Sequence, residues 1–243
     1  LPGAHLDAVD NQMSTWKPDS DLSRFNRAPA GSWHTLPAEF QRVLQAALQL
    51  AADSGGSYDP TVGKLVNLWG FGPAQGDHTP PPQAAIDAAL AHTGWQKIRT
   101  DDQGRVLQPG GIALDLSSIA KGFAVDQVVD WLQSQGFGNF LVEVGGELAA
   151  RGNKADGSPW RVAIEMPGKA VARAGADDLS GITLDLHNQS VATSGNYRHA
   201  FVHVGRYYSH HMDPHSGLPV PHVIASVSVV AGTTLAADPL GTL

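Results

Sequence analysis

Four clusters in this chain combine residue types and spacings that could do chemistry. The first is Asp115-Leu-Ser-Ser-Ile-Ala-Lys-Gly122, which leads from an apolar stretch (Ile112, Ala113, Leu114), read as a strand, into a helix. Small residues around the free N–H groups of a helix start suit an anion such as a phosphate, and Lys121 adds a point charge. The same residues would also serve as a plain Asp or Ser cap beside a solvated lysine. The second cluster is Glu143-Val-Gly-Gly-Glu147. Paired glycines read inside a strand predict a bulge, or a ligand lying against the backbone.

The third cluster is Ser209-His-His-Met-Asp-Pro-His215, with His203 nearby. Three imidazoles and a carboxylate invite a zinc reading, but the spacing is not that of a helical metal pair. One histidine after a strand, aimed at a hydroxyl as a base, fits the pattern better. The fourth is Asp238-Pro-Leu-Gly-Thr242. Its carboxylate and hydroxyl share a helical face if the helix persists, and such hard oxygens suit Mg²⁺. Pro239 opposes that helix. A capped helix with a surface threonine is the alternative.

These clusters need elements to hold them. A helix is predicted over 37–52, where Phe40, Val43, Leu44, Ala47, Leu48 and Ala51 form one stripe that Gly55-Gly56 ends. A weaker helix follows the prolines at 80–82, with Ile86, Ala89 and Leu90 inward. A third covers about 118–135, with Ile119, Phe123, Val128, Val129 and Leu132 inward. Beyond Gly136 the period changes to two. Residues 141–152, 160–166, 181–188, 200–211 and 223–230 read as strands, the stretches 152–159 and 167–178 as exposed connections, and 70–82 as a Gly/Pro-rich loop. The expected class is α+β.

Composition narrows the function. The chain has 243 residues, 42% of them hydrophobic, enough for a buried core. Its 16 Lys and Arg against 23 Asp and Glu give a net charge of −7, which argues against nucleic acid as a partner. There is no cysteine, so a disulfide framework, a thiolate metal site and a Cys nucleophile are excluded. No run of about 18 apolar residues is present to span a membrane. The chain starts at Leu1 and stops at Leu243 in an apolar stretch, so both ends read as cut.

The clusters also occur in an order that resembles the ApbE family of FAD:protein FMN transferases. The resemblance starts at Met13-Ser-Thr-Trp-Lys-Pro-Asp-Ser-Asp-Leu-Ser-Arg-Phe-Asn26 and continues through Tyr58-Asp-Pro-Thr-Val-Gly63 and Leu65-Val-Asn-Leu-Trp-Gly-Phe-Gly72. The Asp115 cluster, Val142-Glu-Val-Gly-Gly-Glu147, Ser194-Gly-Asn-Tyr-Arg198 and His210-His-Met-Asp-Pro-His-Ser-Gly217 follow. It covers essentially all of 1–243, as a single ApbE-like domain shortened at both ends. It implies an ApbE-like (T-fold-like) fold of mixed and antiparallel sheets packed with helices.

By that resemblance, the expected activity is Mg²⁺-dependent transfer of the FMN half of FAD to a Thr or Ser hydroxyl of a target flavoprotein, with release of AMP. Expected acceptors are flavin-carrying subunits of sodium-translocating NADH:quinone reductase or Rnf-type complexes. The expected location is the bacterial periplasm, with the inner membrane reached only through a lipid anchor that this chain lacks. Carried over residue by residue, Trp16, Ser57, Tyr58, Asp59, Asp115, Lys121 and Met212 are the expected FAD contacts. The expected metal set is Ser118 and Gly241 through carbonyls, with Asp238 and Thr242 through side chains. His210 falls on the proposed base, and His211 replaces a usually aliphatic residue. The chain reads Asp-Pro-Leu-Gly-Thr where the family usually reads Asp-Ala-Leu-Ala-Thr. An FAD pyrophosphatase, a flavin carrier without turnover and a histidine-cluster zinc hydrolase are the alternatives.

Overall fold

The apolar stripe at 37–52 becomes a helix because its buried residues recur every three or four positions. In the computed structural model it spans Ala38–Asp53, with Phe40, Val43, Leu44, Ala47 and Ala51 buried and Pro37 standing as its N-cap. The model describes residues 2–74, 76–164, 182–196, 199–221 and 224–243. In chain order the elements are α1 (Pro2–Met13), α2 (Asp21–Asn26), β1 (Ser32–His34), α3 (Ala38–Asp53), α4 (Gly63–Leu68) and α5 (Gln83–Leu90). After a short 3₁₀ turn come β2 (Arg99–Thr100), β3 (Val106–Gln108), α6 (Ala120–Ser134), β4 (Phe140–Val144) and β5 (Glu147–Arg151). The remainder is β6 (Trp160–Ala163), β7 (Thr183–Leu186), β8 (Ser190–Gly195), β9 (Ala200–His203), β10 (Arg206–Ser209), β11 (Ser226–Ala231) and α7 (Thr234–Leu240).

The expected α+β class holds. Four antiparallel strands in the order β11-β8-β5-β4 form the largest sheet. Side chains alternate across it. Ala149 packs with Val125 and Val129 of α6, while Leu148, Ala150 and Val191 pack with Val162 and Leu186 of the β6–β7 pair. The sheet is therefore sandwiched between α6 and a second β layer, and α7 lies against α6, β8 and β11. The largest apolar cluster joins α1, α2 and α3 to Ile112, Leu114, Leu116 and Phe123. A fourth cluster, around Trp69, Ile86 and Phe201, supports the β9–β10 hairpin.

Several expectations need correction. Gly145 and Gly146 do not interrupt a strand. With φ of +65° and +100° they form the two-residue turn joining β4 to β5, a conformation that favours glycine at both positions. Residues 112–114 are not a ladder strand, since only an isolated Val62–Ala113 bridge forms there. Instead Asn26 donates from Nδ2 to the Leu114 carbonyl at 2.9 Å, and its Oδ1 accepts the Leu114 N–H at 2.8 Å. One side chain thus stands in for a neighbouring strand. The helix expected from 118 starts at Ala120 behind Ile119, which makes no side-chain cap bond, so neither Asp115 nor Ser118 caps it. The stretch 200–211 is a hairpin of two strands rather than one.

The expected helices after 82 and near 120 are present, as is the loop around 70–82 apart from Gln75. The expected connection 167–178 lies outside the described residues. Among the described residues no helix is long and apolar enough to cross a membrane.

Candidate active site

Two backbone segments cross to form the floor of one cleft. Asp115 N–H donates to the Pro60 carbonyl at 2.8 Å and Gly63 N–H to the Ala113 carbonyl at 3.0 Å. A Cβ on Gly63 would lie 2.7 Å from that Ala113 oxygen, so only glycine permits the crossing. This brings Ser57, Tyr58 and Asp59 beside Asp115, Ser117 and Ser118. The Ser118 hydroxyl donates to the Tyr58 phenol oxygen at 3.1 Å. Burial holds the Tyr58 hydroxyl well above its usual range, so it stays protonated.

The cleft holds about 430 Å³. Trp16, Ser57, Tyr58, Asp59, Asp115, Ser118, Lys121, His210, Met212, Asp238 and Thr242 all line it, so every site residue named from sequence is present except Gly241. Gly241 caps the C-terminus of α7, and a Cβ there would meet the Ser194 hydroxyl oxygen at 2.8 Å. Ser194 itself faces the cleft. Room left by the glycine is thus taken by a serine. Trp16 is 59% exposed at the cleft wall. Its turn is pinned by the Ser20 hydroxyl, which donates to the Ser14 carbonyl at 2.6 Å. Asp59 reaches the wall with both oxygens already engaged. Oδ1 accepts from Thr61 N–H and hydroxyl, and Oδ2 accepts the Trp95 N–H at 2.9 Å. Its carboxylate shapes the wall.

One end of the cleft is charged. Asp238 is 3% exposed, and its Oδ2 accepts the Gly122 N–H at 2.8 Å. Its Oδ1 lies 3.2 Å from Lys121 Nζ, which also donates to Glu147. Burial raises the Asp238 pKa to about 6, against the pull of Lys121 and with a push from Glu147. Burial alone would lower Lys121, but Asp238 and Glu147 together hold it above its ordinary value. The helix expected to carry Asp238 and Thr242 on one face ends at Leu240. Thr242 lies just past it, held by its N–H to the Pro239 carbonyl at 3.1 Å, and still reaches the cleft. Pro239 sits in the last turn of α7; its missing N–H removes the bond that would reach back to the Leu235 carbonyl, yet the helix still runs to Leu240.

The same cleft also carries three imidazoles, His199, His210 and His211. His210 Nδ1 lies 3.0 Å from the His199 carbonyl oxygen. A carbonyl only accepts, so Nδ1 carries the proton and Nε2 is the basic nitrogen. Burial, reinforced by neighbouring His211, lowers the His210 pKa to about 4. His211 is also lowered by burial and lines the same cleft. Behind them, Trp69 Nε1 donates to the Gly217 carbonyl at 2.9 Å and fixes the loop following the histidines. Asp213 accepts from the Ser216 hydroxyl at 2.6 Å and from the His215 N–H at 3.0 Å. It organises a turn, which leaves the zinc reading without its carboxylate. Among the described residues no three His, Cys, Asp or Glu side chains gather to hold a metal.

Two functional residues lacked an assigned role in the sequence. Glu147 pairs with Lys121 across the cleft. Asp126 of α6 caps α7 by accepting the Thr234 N–H at 2.9 Å and the Leu235 N–H at 2.8 Å. Glu147 stood in a motif already noted, beside its glycines. Asp126 carried no local signal. Tyr197 and Arg198 of the Ser194 motif lie outside the described residues.

A paired lysine, hard oxygen donors, an aromatic wall and a tautomer-fixed imidazole in one cleft are the kinds of group that group transfer on a phosphorylated ligand requires. The chain belongs to the ApbE family, whose model matches residues 3–243. It is 38% identical over 237 residues to the FAD:protein FMN transferase of Vibrio cholerae, covering 98% of this chain and 69% of that protein. The Haemophilus influenzae FAD:protein FMN transferase is 39% identical over 244 residues, with 98% and 69% covered. The crystal structure of the Pseudomonas stutzeri flavinyl transferase ApbE, apo form, superposes with a TM-score of 0.88 at 44% identity, covering 99% of this chain and 73% of that one.

Proposed function

We propose that this chain transfers the FMN half of FAD to a Ser or Thr hydroxyl of a target flavoprotein, releasing AMP in a Mg²⁺-dependent reaction. That it is an enzyme of the FAD:protein FMN transferase kind follows from its family and from its likeness, along 98% of this chain, to relatives of that name. The finer reading is carried by one observation. Residues from five separate segments, Trp16, Tyr58, Asp115 with Lys121, His210 and Asp238, line a single cleft.

Trp16, Tyr58 and Met212 offer walls for the aromatic parts of FAD. Lys121 offers its ammonium to the pyrophosphate. Asp238 and Thr242 through side chains, with Ser118 through its carbonyl, would hold Mg²⁺ from the cleft lining, and Gly241, which is not part of that lining, would join them only through its carbonyl beside Thr242. This is an all-oxygen set of the kind a hard cation takes, and it includes a carboxylate already buried and oriented by Gly122. When bound, that ion supplies neutralisation of charge on the pyrophosphate oxygens. His210 Nε2 takes the proton of the acceptor hydroxyl as its oxygen attacks the FMN-side phosphorus. The P–O bond to the AMP half breaks, and AMP leaves with the electron pair. An imidazole that is neutral above about pH 4 is ready for this without first losing a proton.

The acceptor class we propose is the flavin-carrying subunit of a membrane redox complex, met in the bacterial periplasm. The test is to incubate the protein with FAD, Mg²⁺ and such an acceptor domain and then weigh the acceptor. A mass gain equal to FMN in phosphoester linkage, abolished by EDTA, supports the reading. Free FMN and AMP with an unmodified acceptor would make water the acceptor instead. FAD binding without either product would reduce the chain to a carrier.

A further inference from the structure

Glu147 is 2% exposed and sits at the first position of β5, directly after the Gly145–Gly146 turn. One of its oxygens, Oε1, accepts from Lys121 Nζ, while Oε2 is buried without a hydrogen-bond partner among the described residues. Asp238 faces the same ammonium from α7, with Oδ1 at 3.2 Å and Oδ2 taken by the Gly122 N–H. One positive charge thus serves two buried carboxylates, and one carboxylate oxygen remains unsatisfied. Buried polar atoms are almost always partnered, and an orphaned carboxylate oxygen is among the costliest to leave. Two carboxylates from different elements, closing on one point in a cleft, are hard oxygen donors with one cation too few. The Lys121 side chain is 47% exposed, whereas the side chains of Glu147 and Asp238 are each 3% exposed, so the lysine is the member free to leave.

We propose that Glu147 and Asp238 form a two-carboxylate cation site that the Lys121 ammonium fills when no divalent ion is present and vacates when one binds. The proposal rests on the divalent-ion part of the function proposed above and adds Glu147 to it. Exchange would give the Glu147 carboxylate its missing partner. It would also release the Lys121 ammonium toward a phosphate oxygen, so that ion and nucleotide arrive to complementary charges. A lysine in this role is a built-in competitor, present at fixed local concentration.

The test compares the whole chain with Lys121→Met and Glu147→Gln, without FAD. Mn²⁺ binding is read by electron paramagnetic resonance and thermal melting by circular dichroism, in EDTA and in Mn²⁺. Removing the competing cation should tighten Mn²⁺ binding by about tenfold, and removing the second carboxylate should weaken it by about tenfold or more. Lys121→Met should also melt lower than the parent in EDTA and recover in Mn²⁺. If Lys121→Met does not fold in EDTA, it can be prepared in Mn²⁺. Glu147→Gln keeps the lysine paired with Asp238 and carries the comparison independently. Unchanged Mn²⁺ affinity in Glu147→Gln, or no tightening in Lys121→Met, overturns the proposal and leaves a fixed ion pair. FMN transfer by the parent chain, assayed separately, distinguishes the two claims. Divalent-dependent transfer with equal Mn²⁺ affinities in all three proteins sinks this inference alone, and a parent that binds no Mn²⁺ sinks both.

Discussion

Asp126 accepts the Thr234 N–H at 2.9 Å, so the helix carrying Lys121 caps the helix carrying Asp238. With its second oxygen on the Leu235 N–H, the carboxylate satisfies two N–H groups that α7 leaves free, at the end where an anion is favourable. Asp126→Ala should lower stability by about 2–3 kcal/mol in urea denaturation, the range for losing charge-assisted bonds in a buried place. Asp126→Asn keeps one acceptor and should cost less. Equal losses for the two would show that the charge with both acceptors is needed there, and that side-chain volume and a single acceptor contribute nothing.

Close approach of the same two helices depends on Gly122. A Cβ at that position would lie 2.4 Å from the Thr234 carbonyl oxygen and 2.8 Å from Asp238 Cβ. Neither neighbour is the free end of a flexible side chain. Gly122→Ala should therefore push α7 outward, costing about 1–3 kcal/mol and lowering turnover more than FAD affinity. Thermal melting and FAD titration check the two parts.

His210 titrates in a window that can be worked out. Its folded pKa of about 4 lies below the ordinary 6.5, so between those values the unfolded chain holds the extra proton. Stability is full above about 6.5 and is lost as pH falls toward about 4. The proposed base would stay largely unprotonated across that window, so the His210 limb of the transfer rate should not fall until pH nears 4. His210→Gln should flatten the melting-temperature slope across the window and slow transfer by about 10²–10⁴-fold, with FAD affinity retained. An unchanged slope would remove His210 from the buried, neutral state assigned to it.

Asn26 offers a test remote from the chemistry. Replacing it with alanine strands the Leu114 N–H and carbonyl, which lie next to Asp115, at about 1–3 kcal/mol for each buried group left unpaired. FAD affinity should fall together with stability. Hydrogen exchange at the Leu114 amide should accelerate in Asn26→Ala, and protection equal to that of the parent chain would place another acceptor there.

Much of this was legible in the residues. The stripe of α3 repeats along sixteen residues, and local spacing alone decides it. The cleft-lining residues were legible as ordered motifs. What could not be read locally was pairing. Val142 to Leu148 alternates through its glycines, and only the register of β4 against β5 turns an apparent bulge into a hairpin. Residues 112–114 look like a strand because they are apolar, yet their partners are an asparagine side chain and the backbone at 60–63. Asp126 is a polar residue on a mostly buried helix, with its partner 108 positions away. Glu147 was visible in its motif, and its role depends on a lysine 26 positions earlier.

The bonds that close the cleft join residues 88, 116 and 148 positions apart, for Asn26–Leu114, Gly122–Asp238 and Trp69–Gly217 respectively. Contacts of such separation form late, after the entropy of closing large loops has been met. Synthesis runs from the N-terminus, so Lys121 and Glu147 leave the ribosome well before α7 exists to face them. A nascent chain halted before residue 234 would have the aromatic wall and the histidines but no Asp238. Every FAD contact proposed above would then already be synthesised, whereas the divalent-ion ligands on and after α7 would be assembled only when that helix docks.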